Sequence, residues 1–159
     1  MSRAPFLLAA LLLAACGDAG PVEPLVPKPE PEPVAARHQH QPQRGGRLVE
    51  IGAHVAQVEV VHDREAGTLA AYIMDGHASR AVRLPAKSLR VRIGFGGEEF
   101  TFDLKPVADA LTGETVGDTS RFEIRADLLE RIRGFSGVLV ELNVFDRVFR
   151  DVSFTYAPE

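Results

Sequence analysis

Apolar and polar residues alternate with a period of two through most of the chain after residue 45. In one such segment Ala56, Val58 and Val60 share one face, and Gln57 and Glu59 occupy the opposite, polar face. Alternation of this kind is typical of β-strands that have one buried face. The segments that show it cover residues 56–60, 68–74, 81–84, 89–95, 100–104, 121–124, 138–144 and 148–156.

Turn signals separate these predicted strands. Gly96-Gly97 is expected to close a hairpin. A four-residue loop at 64–67 would place Asp63 opposite Thr68. The one helical signal is a capping-box spacing that begins at Asp127, and it predicts a helix of about one turn.

The predicted fold is all-β: an antiparallel β-sandwich, immunoglobulin-like in scale, with one short helix, over residues 45–159. The chain has no tryptophan and a single cysteine. An antibody-type domain is therefore excluded, because it packs a disulfide against a buried tryptophan.

Residues 16–44 differ in composition from the predicted domain. Seven of the 11 prolines lie there, and Pro27–Pro33 alternates proline with charged residues. Because proline lacks a backbone N–H and restricts the residue before it, we predict a disordered, semi-rigid tether. A docking site for a proline-recognising partner is the alternative.

Residues 1–15 have the organisation of a signal peptide. Arg3 precedes an apolar run that is shorter than the ~20 residues a membrane-spanning helix needs. The run ends in Leu13-Ala14-Ala15-Cys16, which resembles a bacterial lipobox. The resemblance implies cleavage before Cys16 and acylation of that residue, palmitate being a typical chain. The alternative is an ordinary secretory signal with an incidental cysteine.

Lipidation of Cys16 would anchor the protein to a membrane, since two lipid groups already suffice for stable attachment. It would also consume the only thiol, which leaves no disulfide, thiolate metal site or catalytic cysteine. The expected location is the bacterial cell envelope. Asp18 stands one position later than in the inner-membrane retention signal, so the outer membrane facing the periplasm is favoured over the inner membrane.

The net charge of the chain limits the kinds of partner that are expected. The chain has 18 basic and 22 acidic side chains, a net charge of -4. A mildly acidic protein without a lysine- or arginine-rich cluster has no electrostatic basis for binding nucleic acid. Membrane contact is therefore expected through the acyl chains on Cys16.

None of the candidate catalytic motifs has all the residues at the required spacing. Gly94–Glu99 lacks the third glycine of a dinucleotide-binding loop and joins two predicted strands. In Gly134–Gly137 the last glycine stands one place too early for a nucleophile elbow. No nucleophile has a base at a suitable spacing, so we expect the protein not to be an enzyme.

The histidines are the residues whose predicted positions could form a metal site. If the loop at 64–67 has four residues, His54 faces His77 across a hairpin, with Cβ atoms about 5 Å apart. Asp75 would lie diagonally beside them, and two imidazoles with a carboxylate suit Zn²⁺ or Cu²⁺. The alternative is that both histidines are polar residues at the rim of the hairpin.

Two further histidines, His38 and His40, lie two residues apart at the end of the tether. Such a pair can chelate the same metals, and a solvated polar tail is the alternative. His62 is not expected to join His54, because eight residues of strand separate them by roughly 26 Å.

Three segments, Gly45–Gly52, Val58–Asp63 and Gly67–Ala78, resemble a small extracytoplasmic bacterial module. The module occurs in stand-alone lipoproteins and in the leading segments of heavy-metal efflux adaptor proteins, and the resemblance covers most of Gly45 to Tyr156. It implies a metal-linked or envelope role and an envelope or efflux protein as partner. The expected departure from those adaptors is the lack of an attached adaptor or pump segment.

Two functions are therefore expected. The first is a lipid-anchored, non-enzymatic β-sandwich that binds or delivers a transition metal through histidines. The second is a protein-interaction or structural module of the cell envelope that presents a sheet edge or a loop to its partner.

Overall fold

The computed structural model describes residues 40–157, which form eight strands and one short helix. Every strand pair is antiparallel, so the prediction of an all-β antiparallel fold is confirmed. The elements are β1 Arg47–Ile51, β2 Ala56–Asp63, β3 Thr68–Asp75, β4 Leu89–Phe95, β5 Glu98–Pro106, β6 Arg121–Arg125, α1 Asp127–Arg131, β7 Phe135–Val144 and β8 Arg147–Tyr156.

The strands form one sheet in the order β1-β2-β3-β6-β5-β4-β7-β8. Its two four-stranded halves join where β5 pairs with β6 over only two residues, Lys105 with Glu123 and Pro106 with Phe122. The outer strands approach each other, because Gly52 at the end of β1 lies against Phe149 of β8. The sheet is therefore nearly closed, and its halves enclose one core in a sandwich-like fold.

The core is built from the alternating apolar positions of the strands. Ile73, Ile93, Leu104, Phe122 and Leu139 come from five different strands and are all fully buried. Burying a side chain of this size contributes about 1.5–3 kcal/mol, so a core shared by five strands is the main source of stability.

Two hairpins position the candidate site, and the β2–β3 hairpin has the predicted geometry. In β2–β3, Asp63 pairs with Thr68 and Ala56 pairs with Asp75, as a four-residue loop requires. In β1–β2, Ile51 pairs with Ala56, which leaves residues 52–55 as a second four-residue loop. Both loops fix the register of β2, and register decides which side chains reach each face.

Two local predictions were wrong, and one strand was missed. Residues 81–84 are not a strand, because Ala81 and Leu84 make only isolated bridges to two different partners. Residues 47–51 are a strand that the alternation did not separate from its surroundings. Asp127 does not cap α1: it is already the first helical residue, and the N-cap is Ala126, which makes no side-chain hydrogen bond.

Glu59 also differs from the prediction, which placed it on a solvated face. It is fully buried, because residues 43–46 cover it and donate hydrogen bonds to its carboxylate. Within residues 40–157, no helix is both long and apolar enough to cross a bilayer.

Candidate metal centre

Three imidazole rings meet at one end of the β2–β3 hairpin. The ring centroid of His40 lies 6.0 Å from that of His54 and 5.8 Å from that of His77. Both pairs are edge-on, with interplanar angles of 81° and 73°. His40 is half-buried, whereas His54 and His77 are exposed. These three residues are named the histidine cluster below.

Two turns bring His54 and His77 together. His54 lies in the β1–β2 loop at φ 57°, a left-handed conformation in which histidine is enriched. His77 lies in the turn that follows β3. A Cβ at Gly76 would overlap the carbonyl oxygen of His54. The absence of a side chain at Gly76 therefore allows the two turns to pack directly against each other.

Glu59 holds the segment that carries His40. Its Oε1 accepts hydrogen bonds from the backbone N–H of Arg44 at 2.6 Å and of Gly46 at 3.1 Å. Its Oε2 accepts from the backbone N–H of Gln43 at 3.2 Å and from the Arg44 guanidinium at 3.3 Å. A buried carboxylate is tolerated only when it is paired and hydrogen-bonded, and residues 43–46 meet that requirement.

Two further contacts fix residues 40–46, the docked segment, on the sheet. The side-chain amide of Gln43 donates to the carbonyl oxygen of Ala78 at 2.5 Å, which ties the segment to the turn that carries His77. The Arg44 guanidinium lies 4.1 Å from the ring centroid of Tyr72 in β3. Residues 43 and 44, which the sequence assigns to the tether, are thus attached to the domain.

Asp75 closes the turn that contains His77. Its carboxylate accepts hydrogen bonds from the Ser79 backbone N–H at 2.8 Å, from the Ser79 hydroxyl at 3.0 Å and from the Arg80 backbone N–H at 3.3 Å. These bonds, foremost the one from the Ser79 N–H, lower the pKa of Asp75 from 3.8 to about 2. Asp75 therefore shapes the turn and stays ionised.

Glu50 places a carboxylate beside His54. Its Oε1 accepts the His54 backbone N–H at 3.1 Å and lies 3.9 Å from His54 Nδ1. A carboxylate beside an imidazole orients the ring and favours a cation bound to it.

The rings of the cluster lie near one another but are not arranged around a shared metal. Two imidazoles on a single tetrahedral zinc have centroids about 5 Å apart, given a Zn–N bond of about 2.0 Å. The observed separations of 5.8 and 6.0 Å are longer, so the rings must move closer together to share an ion. Among residues 40–157, no group of three or more His, Cys, Asp or Glu side chains is placed so that it could hold a metal ion. Rotation of the exposed His54 and His77 rings is therefore required for binding.

The structure regroups the residues that the sequence singled out. His54 and His77 do not face each other across the hairpin as predicted, because the ladder ends at Ala56 and Asp75; they lie in two turns that pack against each other. His40 joins them, although the sequence assigned it to a separate tail. His38 and Cys16 lie outside the described residues.

One signal could have indicated the role of His40. Glu59 is an acidic residue inside the apolar run Val58 to Val61 of β2, whose two edges pair with β1 and β3. A carboxylate at such a position needs donors from another segment. The glycine-rich segment that follows His40 can supply backbone N–H groups for that purpose.

His62 has a structural role at the other end of β2. Its Nε2 lies 2.8 Å from the carbonyl oxygen of Leu129 in α1, and its ring packs edge-on against Phe135 and Tyr156. It is thus a link between the helix and the β7–β8 hairpin.

No protein-family model matches the chain, and no curated protein or solved structure shows a significant match to it. The resemblance to an extracytoplasmic bacterial module and to a lipobox therefore stays a prediction from the sequence. The histidine cluster is the feature of the described residues that points to a function.

Proposed function

We propose that this protein is a lipid-anchored, extracytoplasmic β-sandwich that binds one divalent transition-metal ion, Zn²⁺ or Cu²⁺, through His40, His54 and His77. The observation that carries the proposal is the meeting of three imidazole rings from three separate segments, two turns and the docked segment. Rings from segments so far apart in the chain meet only because the fold brings them together.

The chemistry of the cluster favours these metals. Imidazole nitrogen suits zinc and copper, and Glu50 supplies negative charge beside His54. Three protein ligands leave a fourth position for water or for a ligand from another molecule. A site of this kind suits a carrier that transfers its metal, so the proposed role is binding and delivery without a catalytic step.

The anchoring part of the proposal rests on the sequence. Cys16 follows Leu13-Ala14-Ala15 in the arrangement of a lipobox, and a proline-rich tether separates it from the sheet. The metal site would then be held near a bacterial membrane, with the outer membrane facing the periplasm favoured.

A calorimetric titration tests the metal site. The protein would be residues 16–159 with Cys16→Ser, which removes the competing thiol, titrated with Zn²⁺ and Cu²⁺. We expect one ion per chain, and a roughly 10- to 100-fold weaker affinity in His77→Ala, since even residues that only orient a ligand contribute that much. His38→Ala is the matched control and should leave the affinity unchanged. Equal affinity in His77→Ala and the parent protein would exclude the cluster as the site.

Protein interaction is the second candidate function, and an apolar surface at the β7–β8 turn favours it. A groove of about 420 Å³ is lined by Leu84, Phe122 and Leu142, with Phe145 at its rim. Phe145 and Val148 are 56% and 46% exposed. An envelope protein that inserts an apolar side chain would bury them. A photo-crosslinker at Phe145 should then capture such a partner, and one at the exposed Glu65 should not.

A further inference from the structure

We infer that metal binding and docking of residues 40–46 are coupled, with Glu59 and Gln43 acting as positioning residues for the metal site. The inference rests on the proposed metal function. Its starting point is that His54 and His77 belong to turns of the sheet, whereas His40 belongs to a segment outside every strand. The cluster is therefore complete only while that segment is docked.

The docked segment is held by a small number of polar contacts. Every described hydrogen-bond donor to Glu59 comes from residues 43–46. Gln43 adds its bond to Ala78, and Arg44 adds its contact with Tyr72. Release of the segment would also uncover the Glu59 carboxylate, so the released state does not leave a buried, unpaired charge. A docked and a released state are thus both physically accessible.

Thermodynamic linkage relates metal binding to docking of the segment. An ion that uses His40 together with His54 and His77 binds the docked state more tightly than the released one, so it shifts the population towards docking. By reciprocity, any change that weakens docking lowers metal affinity by the same factor. A bound metal ion would hold the segment near residue 40 on the domain, next to the predicted tether.

Amide hydrogen exchange measured by NMR tests the coupling. The relevant amides are those of Gln43, Arg44 and Gly46, which donate to Glu59. In the Cys16→Ser protein, saturating Zn²⁺ should slow their exchange at least tenfold, and His40→Ala should remove this effect. The amide of Ala66, which donates to Asp63 in a turn outside the cluster, is the internal reference and should not change.

Zinc affinity of two positioning variants tests the reciprocal effect. Glu59→Gln and Gln43→Ala should each weaken zinc binding several-fold, and Gln43→Ala serves if Glu59→Gln does not fold. Glu114→Gln is the matched control, because Glu114 is also buried but bonds within its own loop. It should bind zinc like the parent protein.

The outcomes separate the coupling from the metal function. Zinc binding with unchanged exchange at residues 43, 44 and 46, together with parental affinity in Gln43→Ala, would overturn the coupling and leave the metal site standing. Absence of zinc binding would overturn both.

Discussion

Two buried carboxylates hold irregular segments against this sheet. They differ in how far along the chain their hydrogen-bond donors lie. Glu59 is fully buried and bonds to backbone N–H groups 13 to 16 residues earlier. Glu114 is 6% exposed and bonds to Thr119 and Ser120, five and six residues later. Glu114 also lies 3.7 Å from the Arg83 guanidinium, but its hydrogen bonds close its own loop, whereas those of Glu59 recruit a distant segment to the sheet.

The segments that they hold carry different side chains. The loop of Glu114 presents two exposed apolar residues, Leu111 and Val116, and no imidazole. The docked segment of Glu59 brings His40 to two other histidines. A local carboxylate shapes a loop, and a long-range carboxylate can assemble a site from parts of the chain that are remote in sequence.

The largest expected effect comes from Glu59→Ala compared with Glu114→Ala. Both variants should lower the free energy of unfolding by about 2–4 kcal/mol, because each removes several hydrogen bonds to a charged group. Only Glu59→Ala should also reduce zinc affinity, by about tenfold or more. Urea unfolding and calorimetry measure the two quantities. Equal zinc affinity in both variants would remove the distinction between the two carboxylates.

Gly76→Ala should have the next largest effect. Its Cβ would overlap the His54 backbone, so the two turns must separate at a cost of about 1–3 kcal/mol. Zinc affinity should fall with the separation of His54 and His77. Gly113→Ala, at φ 70° in open space within the Glu114 loop, is the control. It should destabilise the protein by about 1 kcal/mol through backbone strain and leave zinc binding intact.

A smaller effect is expected from the pH dependence of Asp75. Its pKa is lowered from 3.8 to about 2 by hydrogen bonds from Ser79 and Arg80. The folded state thus favours the ionised form, so this stabilisation is present above about pH 4 and is lost as the pH falls towards 2. Asp75→Asn should make unfolding less dependent on pH in that range. An unchanged pH profile would show that the turn does not depend on the carboxylate.

The smallest effect is expected at the apolar tip of the Glu114 loop. Leu111 is 99% exposed, so Leu111→Ser should change the free energy of unfolding by less than about 0.5 kcal/mol. Zinc affinity should also be unchanged. Thermal unfolding and calorimetry measure both, and a shift in zinc affinity would contradict the assignment of metal binding to the histidine cluster.

Much of the sheet could be predicted because its signals are local. Val91 and Ile93 alternate with arginines and are buried as expected, and the four-residue loop after Asp63 set the register of β2 and β3 correctly. Residues 81–84 alternate too, but Ala81 and Leu84 bridge different neighbours, so the run never forms a ladder. Alternation alone does not show whether a partner strand is present.

The candidate site could be predicted only in part, because its decisive contacts are not local. The hairpin register predicted that His54 faces His77, but the ladder stops at Ala56 and Asp75, and the two histidines lie in adjacent turns instead. The contribution of His40 depends on Glu59, whose burial depends in turn on a segment 13 to 16 residues away. The polar position of Glu59 in an alternating strand indicates solvent when read by itself.

The nitrogen shifts of the histidine rings test the central claim most directly. A long-range ¹H–¹⁵N NMR spectrum of the Cys16→Ser protein would be recorded with and without one equivalent of Zn²⁺. We predict that the ring nitrogens of His40, His54 and His77 shift together, while those of His38 and His62 do not. A spectrum without shifts, or with shifts confined to His38 and His40, would contradict a metal site formed by the fold.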